Sequence, residues 1–342
     1  MEKYIEWAIK LRKVSGLGKL TNAANKEKNM KQVILYGAGV CSKNALDFLR
    51  FCNMDIYIYA LCESNPEKTR KKFFDKSIIS YAEAKEKNYP FVISVSEKYH
   101  DEIQHILEQD GVKYFDGITQ WLQLEFRSDF TKLNRDYCAY FHIEGMDEYF
   151  DIAESENSLK RFWGENTAFY RMFMQLDLDK VIELACGRGR HLNQYYSRAN
   201  EITLVDILEK NIAFCKDRFR NKRNIKYYQN NGFDLSELPN EGYSALFTYD
   251  SMVHFEMFDI NNYLKETFRV LKNGGMALFH HSNLASDYRQ TYNNSGNPGG
   301  RNFMSKELFA YLAYKAGFEI IEQQVIDWSL PSMDCITLVK KF

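Results

Sequence analysis

Val181-Ile-Glu-Leu-Ala-Cys-Gly-Arg-Gly-Arg190 is the stretch that decides the fold of this chain. An apolar run carries an acid, Glu183, and a glycine-rich turn follows at once. About twenty residues further on, a second apolar run, Ile202-Thr-Leu-Val205, closes on Asp206. One strand ends in an acid, glycines open the next helix, and the following strand ends in another acid. That order describes a nucleoside pocket at the mouth of a parallel sheet.

Working outward, apolar runs bounded by turn residues predict strands near 180–184, 202–206, 225–229, 244–249, 275–281, 318–326 and 334–340. The last two have no helix between them, and Ser329-Leu-Pro331 sits in the gap. The expectation is a seven-stranded sheet that is parallel except for a terminal antiparallel hairpin. Upstream, Gln32-Val-Ile-Leu-Tyr36 runs into Gly37-Ala-Gly39, with further strands at 55–61, 91–95 and 112–115. Strands alternating with helices there predict a second, smaller parallel sheet of about four strands. Residues 1–14 read as a helix and Gly16 to Lys31 as a polar connector. The chain thus reads as α/β with two Rossmann-like domains: residues 1–118, a helical connector over 119–160, and residues 161–342.

With 45% hydrophobic and 15% aromatic residues, the 342-residue chain can fill two cores, which excludes a disordered class. Forty-five Lys and Arg against 46 Asp and Glu give a net charge of −1, so nothing electrostatic points to nucleic acid or an anionic membrane. The basic run from Lys216 to Arg223 suits the C-terminus of a helix. Seven cysteines form neither a CxxC pair nor a ligand spacing with histidine, which argues against a zinc site or a disulfide framework. No uncharged run approaches the ~18 residues of a membrane span, and the N-terminus mixes charge into a helical pattern. A cytoplasmic protein in a reducing compartment is expected; homo-oligomerisation is left open.

The dinucleotide fingerprint fails at 185–190, because the third glycine is missing. Glu183-Leu-Ala-Cys-Gly187-Arg-Gly189 instead resembles the acidic and glycine-rich motif of class I S-adenosylmethionine (SAM) methyltransferases, with Ala185 where that family usually has its first glycine. Later landmarks follow in the same order. Tyr227-Tyr-Gln-Asn-Asn231-Gly-Phe233 resembles the adenine motif, Ala245-Leu-Phe-Thr-Tyr-Asp250 the fourth strand, and Met276-Ala-Leu-Phe-His-His281 the fifth. The resemblance implies SAM as donor and S-adenosylhomocysteine as product. It implies binding by Glu183, Ala185, Gly187, Gly189, Asp206, Ile207, Asn231, Gly232, Phe233 and Tyr249. Within that set, Asp206 would take the ribose hydroxyls, Asn231 the adenine amino group and Phe233 the ring face.

A hydroxyl acceptor needs its proton removed by a base titrating near neutrality. His254 follows the fourth strand, and His280 and His281 end the fifth. Neighbours on a strand face opposite ways, so only one of those two can face the pocket. His254 and His281 are the candidate bases, with Asp250 to orient a histidine or meet the donor. Arg301, Tyr288 and His280 are candidate acceptor contacts. Asp250 with a histidine could hold Mg²⁺, but no dedicated metal cage is present. The run His-His-Ser-Asn and the later Gly-Arg-Asn-Phe-Met-Ser305 resemble a subset of these methyltransferases encoded beside bacterial surface-polysaccharide enzymes. That resemblance implies a carbohydrate or activated-sugar acceptor. The alternatives are methyl transfer to nitrogen, carbon or a phosphate-type oxygen, or a non-catalytic sugar-nucleotide-binding protein. Val33-Ile-Leu-Tyr-Gly37-Ala-Gly39-Val-Cys-Ser42, with Glu63 beyond it, would let the first domain bind a nucleotide or sugar nucleotide.

Overall fold

The computed structural model describes residues 32–51, 54–64, 72–73, 75–126, single positions between 129 and 139, 147–285 and 300–342. The helix and connector expected over 1–31, together with Tyr288, lie outside the described residues. The division between two compact units falls after Tyr140, so the helices over 147–173 belong to the second unit. Among the described residues no helix is long and apolar enough to cross a membrane.

In the first unit β1 (Val33–Tyr36), β2 (Ile58–Glu63), β3 (Lys72–Phe73), β4 (Lys76–Ser80), β5 (Phe91–Ile93) and β6 (Tyr114–Phe115) form one sheet in the order β3-β4-β2-β1-β5-β6. Every pairing is parallel except that of the edge strand β3 with β4. The sheet therefore has two strands more than its apolar runs announced. Lys76-Ser-Ile-Ile-Ser80 buries only Ile78 fully, so it lacks the continuous apolar run by which a central strand is recognised. Gly37 closes β1 with φ 129°, and a Cβ there would stand 2.5 Å from the Ser94 carbonyl oxygen. Ser42 replaces the third glycine without a clash and donates its hydroxyl to that same carbonyl at 2.9 Å.

The second unit carries β7 (Lys180–Leu184), β8 (Glu201–Asp206), β9 (Ile225–Gln229), β10 (Tyr243–Thr248), β11 (Leu271–Ser282), β12 (Phe318–Ile326) and β13 (Asp334–Lys341). Their order is β12-β13-β11-β10-β7-β8-β9. Six strands run in one direction, and only β13, slotted between β11 and β12, runs antiparallel to them. This is the α/β sheet with a terminal antiparallel hairpin that the strand pattern predicts. The chain leaves β7 toward β8 and later returns through β10 on its other side. The crevice between β7 and β10 is therefore the switch point where such sheets bind ligands. One face buries Phe162, Phe169, Phe173, Tyr195 and Phe247; the other buries Ile182, Tyr263, Phe279 and Phe309. With both faces covered, the central strands read as unbroken apolar runs, which made them legible.

Candidate active site

Glu183 lies near the end of β7 with 1% of its surface exposed. One carboxylate oxygen accepts the Tyr195 hydroxyl at 2.7 Å, and the other has no hydrogen-bond partner. Burial pushes its pKa up to about 7, against the lowering effect of the Tyr195 bond and Arg190. A buried carboxylate oxygen facing no donor is the acceptor an ammonium group would complete. The backbone then turns through three left-handed residues, Ala185 (φ 58°), Gly187 (φ 54°) and Gly189 (φ 73°). Ala185 adopts the glycine conformation its position demands, at a cost of roughly 1–2 kcal/mol. A Cβ on Gly189 would stand 2.5 Å from the Phe219 ring, so the loop can pack on helix Glu209–Arg218 only without one.

Asp206, at the end of β8, is 5% exposed. Its carboxylate accepts Gly187 N–H at 2.9 Å, Leu208 N–H at 2.9 Å and the Asn211 amide at 3.1 Å. A carboxylate accepts at about four positions. Asp206 therefore braces the glycine turn against the next strand, a task its sequence position did not disclose. Ile207 follows it, half-buried. Asn231 departs from its expected part. Its carbonyl accepts Phe233 N–H and Asp234 N–H, both at 3.0 Å, and its amide donates to Asp234 at 2.7 Å. The amide read as an adenine contact thus closes its own turn, around Gly232 at φ 87°. Phe233 stands on that turn, and so does Asp234, a carboxylate the motif reading passed over.

Beyond β10 the rim is charged. Asp250 holds φ 56°, and its carboxylate accepts the Tyr149 hydroxyl at 2.7 Å and Arg190 at 3.0 Å. Burial alone would raise its pKa, but Arg190 above all, with the Tyr149 bond, holds it down at about 2. His254 comes next, on the short turn Met252–His254, its backbone tied to Ser251 and Asn302. Tyr149 and Arg190 carried no motif signal, because their partner Asp250 lies 101 and 60 residues away.

Four expectations need correction. His281 is fully buried on the far face of the sheet, stacked on Phe309 with centroids 3.8 Å apart. Its nitrogens meet the Ser282 carbonyl and Thr337 hydroxyl, both at 2.8 Å, and burial lowers its pKa to about 3. It is a neutral core residue and not a base. His280 faces the site side but is fully buried, with both ring nitrogens bonded inside the protein, so it does not reach an acceptor. Arg301 is 6% exposed and clamps Asp334 through two bonds, of 2.9 and 2.6 Å, so its fork is spent within the fold. Tyr249 packs among Phe162, Phe169 and His280 at centroid distances of 4.5, 4.4 and 4.4 Å. It is a packing residue, where the motif reading had it touch the donor. Trp328 stacks on Phe162 at 5.7 Å, with Arg161 and Arg301 each 5.1 Å from its ring. Trp163 donates its indole N–H to His191 Nδ1 at 3.0 Å, which makes both packing residues of the glycine loop.

Two family models match the chain: one described as a methyltransferase domain over residues 181–275, and one described as C2185-like, N-terminal, over 29–114. No curated protein matches it. Among solved structures, a putative S-adenosylmethionine dependent methyltransferase from Listeria monocytogenes is 15% identical, with a TM-score of 0.42, covering 51% of this chain and 97% of its own. An S-adenosylmethionine dependent methyltransferase from Mesorhizobium loti is 13% identical, with a TM-score of 0.44 and coverage of 52% and 99%. The [4+2]-cyclase SpnF is 16% identical, with a TM-score of 0.41 and coverage of 49% and 77%. The match places a methyltransferase domain in the second unit, over residues 181–275.

Proposed function

We propose that the chain moves the methyl group of SAM to a hydroxyl of a carbohydrate or activated-sugar precursor, with His254 taking the proton. SAM supplies a sulfonium-bound methyl group open to in-line displacement. The chain's own residues then have two tasks, positioning and proton removal. Glu183, the glycine turn and Asp206 would hold the donor's methionine and ribose ends, with Gly232, Phe233 and Ile207 beside its base. The carrying observation is the rim where Asp250, Tyr149 and Arg190 interlock next to His254. A carboxylate that stays ionised favours the imidazolium that forms when His254 accepts a proton. Acceptors and donors closely interleaved also suit a polyhydroxylated acceptor better than an apolar one.

Changing His254 to alanine is expected to lower kcat by roughly 10²- to 10⁴-fold. Calorimetric SAM affinity should stay where it was. Equal kcat in both proteins would remove His254 from the reaction. The acceptor class is tested by incubating enzyme and isotope-labelled SAM with nucleotide sugars and surface glycans, then looking for methyl gain by mass spectrometry. Label appearing only on amines, carbon centres or phosphate oxygens would replace the sugar-hydroxyl reading. SAM binding without turnover on any class would favour a non-catalytic sugar-nucleotide-binding role.

For the first unit we propose a nucleotide or sugar-nucleotide site at the Gly37 turn. Support comes from Glu63 ending β2 beside β1, and from the Tyr36 hydroxyl held 2.9 Å from Ser64. A cytoplasmic setting is part of the same proposal: the described cysteines are all free thiols.

A further inference from the structure

Parallel strands all end at the ligand rim of a sheet; only an antiparallel strand begins there. Asp334 opens β13, opposite Ser282 where β11 ends, and is fully buried. Besides the Arg301 fork, its carboxylate faces His280 Nε2 at 3.1 Å. The other ring nitrogen, His280 Nδ1, takes the backbone N–H of Asp250 at 3.0 Å. A backbone amide can only donate, so Nδ1 is the acceptor and the ring proton sits on Nε2, pointing at Asp334. The ring plane is held by Tyr249, stacked 4.4 Å away at 29°. What this chain of contacts restrains is the left-handed backbone of Asp250, a conformation that non-glycine residues avoid.

We propose that Asp334 and His280 are positioning residues of the methyl-transfer site. Asp334 selects the Nε2–H tautomer of His280, His280 holds the Asp250 amide, and the Asp250 carboxylate is thereby aimed at Tyr149 and Arg190 beside His254. The role of this rim in the reaction rests on the acceptor reading given above; the tautomer and the restraint on Asp250 do not. The insertion of β13 between β11 and β12 then has a use beyond closing the sheet, because it delivers an acid to the rim.

Two substitutions in the full-length protein separate positioning from packing. Asparagine at 280 puts a carbonyl oxygen near the place of Nδ1 and can accept the Asp250 amide; glutamine reaches toward the place of Nε2 and cannot. For His280→Gln, the Asp250 amide should exchange hydrogen about tenfold faster, read by mass spectrometry on the peptide spanning residues 248–253. With the acceptor identified from labelled SAM, its kcat should fall roughly 10- to 100-fold while S-adenosylhomocysteine affinity by calorimetry moves less than about twofold. His280→Asn should keep the protection and most of kcat. Equal exchange in the two variants, or equal loss of kcat, overturns the proposal. Nitrogen-15 spectra of the unmodified protein decide the tautomer even if neither variant folds: a proton on Nδ1 refutes it outright. If no acceptor is ever methylated, the exchange and tautomer measurements still judge the restraint on Asp250, and only the assignment of the reaction fails.

Discussion

Replacing Glu183 by glutamine is expected to weaken SAM binding by about two orders of magnitude while making the ligand-free protein more stable at pH 8. The first effect follows from the unpartnered oxygen of a buried carboxylate, which gains a charged donor only when the ligand's ammonium arrives. A buried hydrogen bond to a charged group contributes about 1.5–3 kcal/mol. The second effect has the opposite sign for the same reason. The carboxyl titrates near 7 in the fold against an ordinary value of 4.5. The folded state therefore binds the proton more tightly than the unfolded chain. Glu183's contribution to stability is full below the unfolded pKa and is lost as pH rises through about 7. Glutamine never ionises, so it spares the fold a penalty on the order of 3 kcal/mol at pH 8. Urea unfolding of the ligand-free proteins at pH 5 and pH 8 checks the sign. Binding should also carry a proton signature: an arriving ammonium pulls the carboxyl pKa back down, so uptake of SAM below pH 7 releases a proton and weakens about tenfold per pH unit. Calorimetry in two buffers of different ionisation enthalpy reads that release. A variant that binds SAM as tightly as the parent would remove Glu183 from the donor site.

Substituting Arg301 by alanine is expected to destabilise the protein by about 3–5 kcal/mol, because it strands a fully buried Asp334 carboxylate. Asp334→Ala should cost a similar amount by stranding the guanidinium. Replacing both residues together with alanine should cost far less than the sum, since removing either partner alone strands a buried charge and removing both strands none. Denaturant midpoints of the four proteins make the cycle. If Arg301 acted as an acceptor anchor alone, its loss would raise KM and leave the midpoint in place. The clamp reaches further than stability, because Asp334 also holds His280, and so a partly unfolded rim and a mis-set Asp250 should appear together.

The strands and the glycine turn were legible because their signals are local. β7, β8 and β10 are buried on both faces, so continuous apolar runs mark them, and Gly187 and Gly189 mark backbone that side chains would strain. The antiparallel end of the sheet was legible from the absence of a helix between residues 326 and 334. β4 escaped notice because one buried isoleucine among lysine and serines makes no pattern. The histidines show the limit most clearly. Alternation along β11 dictates that His280 and His281 face opposite sides, yet nothing in the run says which side holds the pocket.

By itself the sequence determined the sheet and its turn, since burial periodicity and backbone geometry are properties of neighbouring residues; the donor came from the family resemblance of that turn. Only the tertiary structure decided what each polar side chain does. Asp206 became a brace for the turn, Asn231 the closure of its own loop, and Arg301 half of a buried pair. Those roles depend on partners far along the chain, such as Tyr149 with Asp250 across 101 positions or His280 with Asp334 across 54. Such pairings arise where strand order folds distant segments together, and a buried polar group must find its partner there or remain unsatisfied.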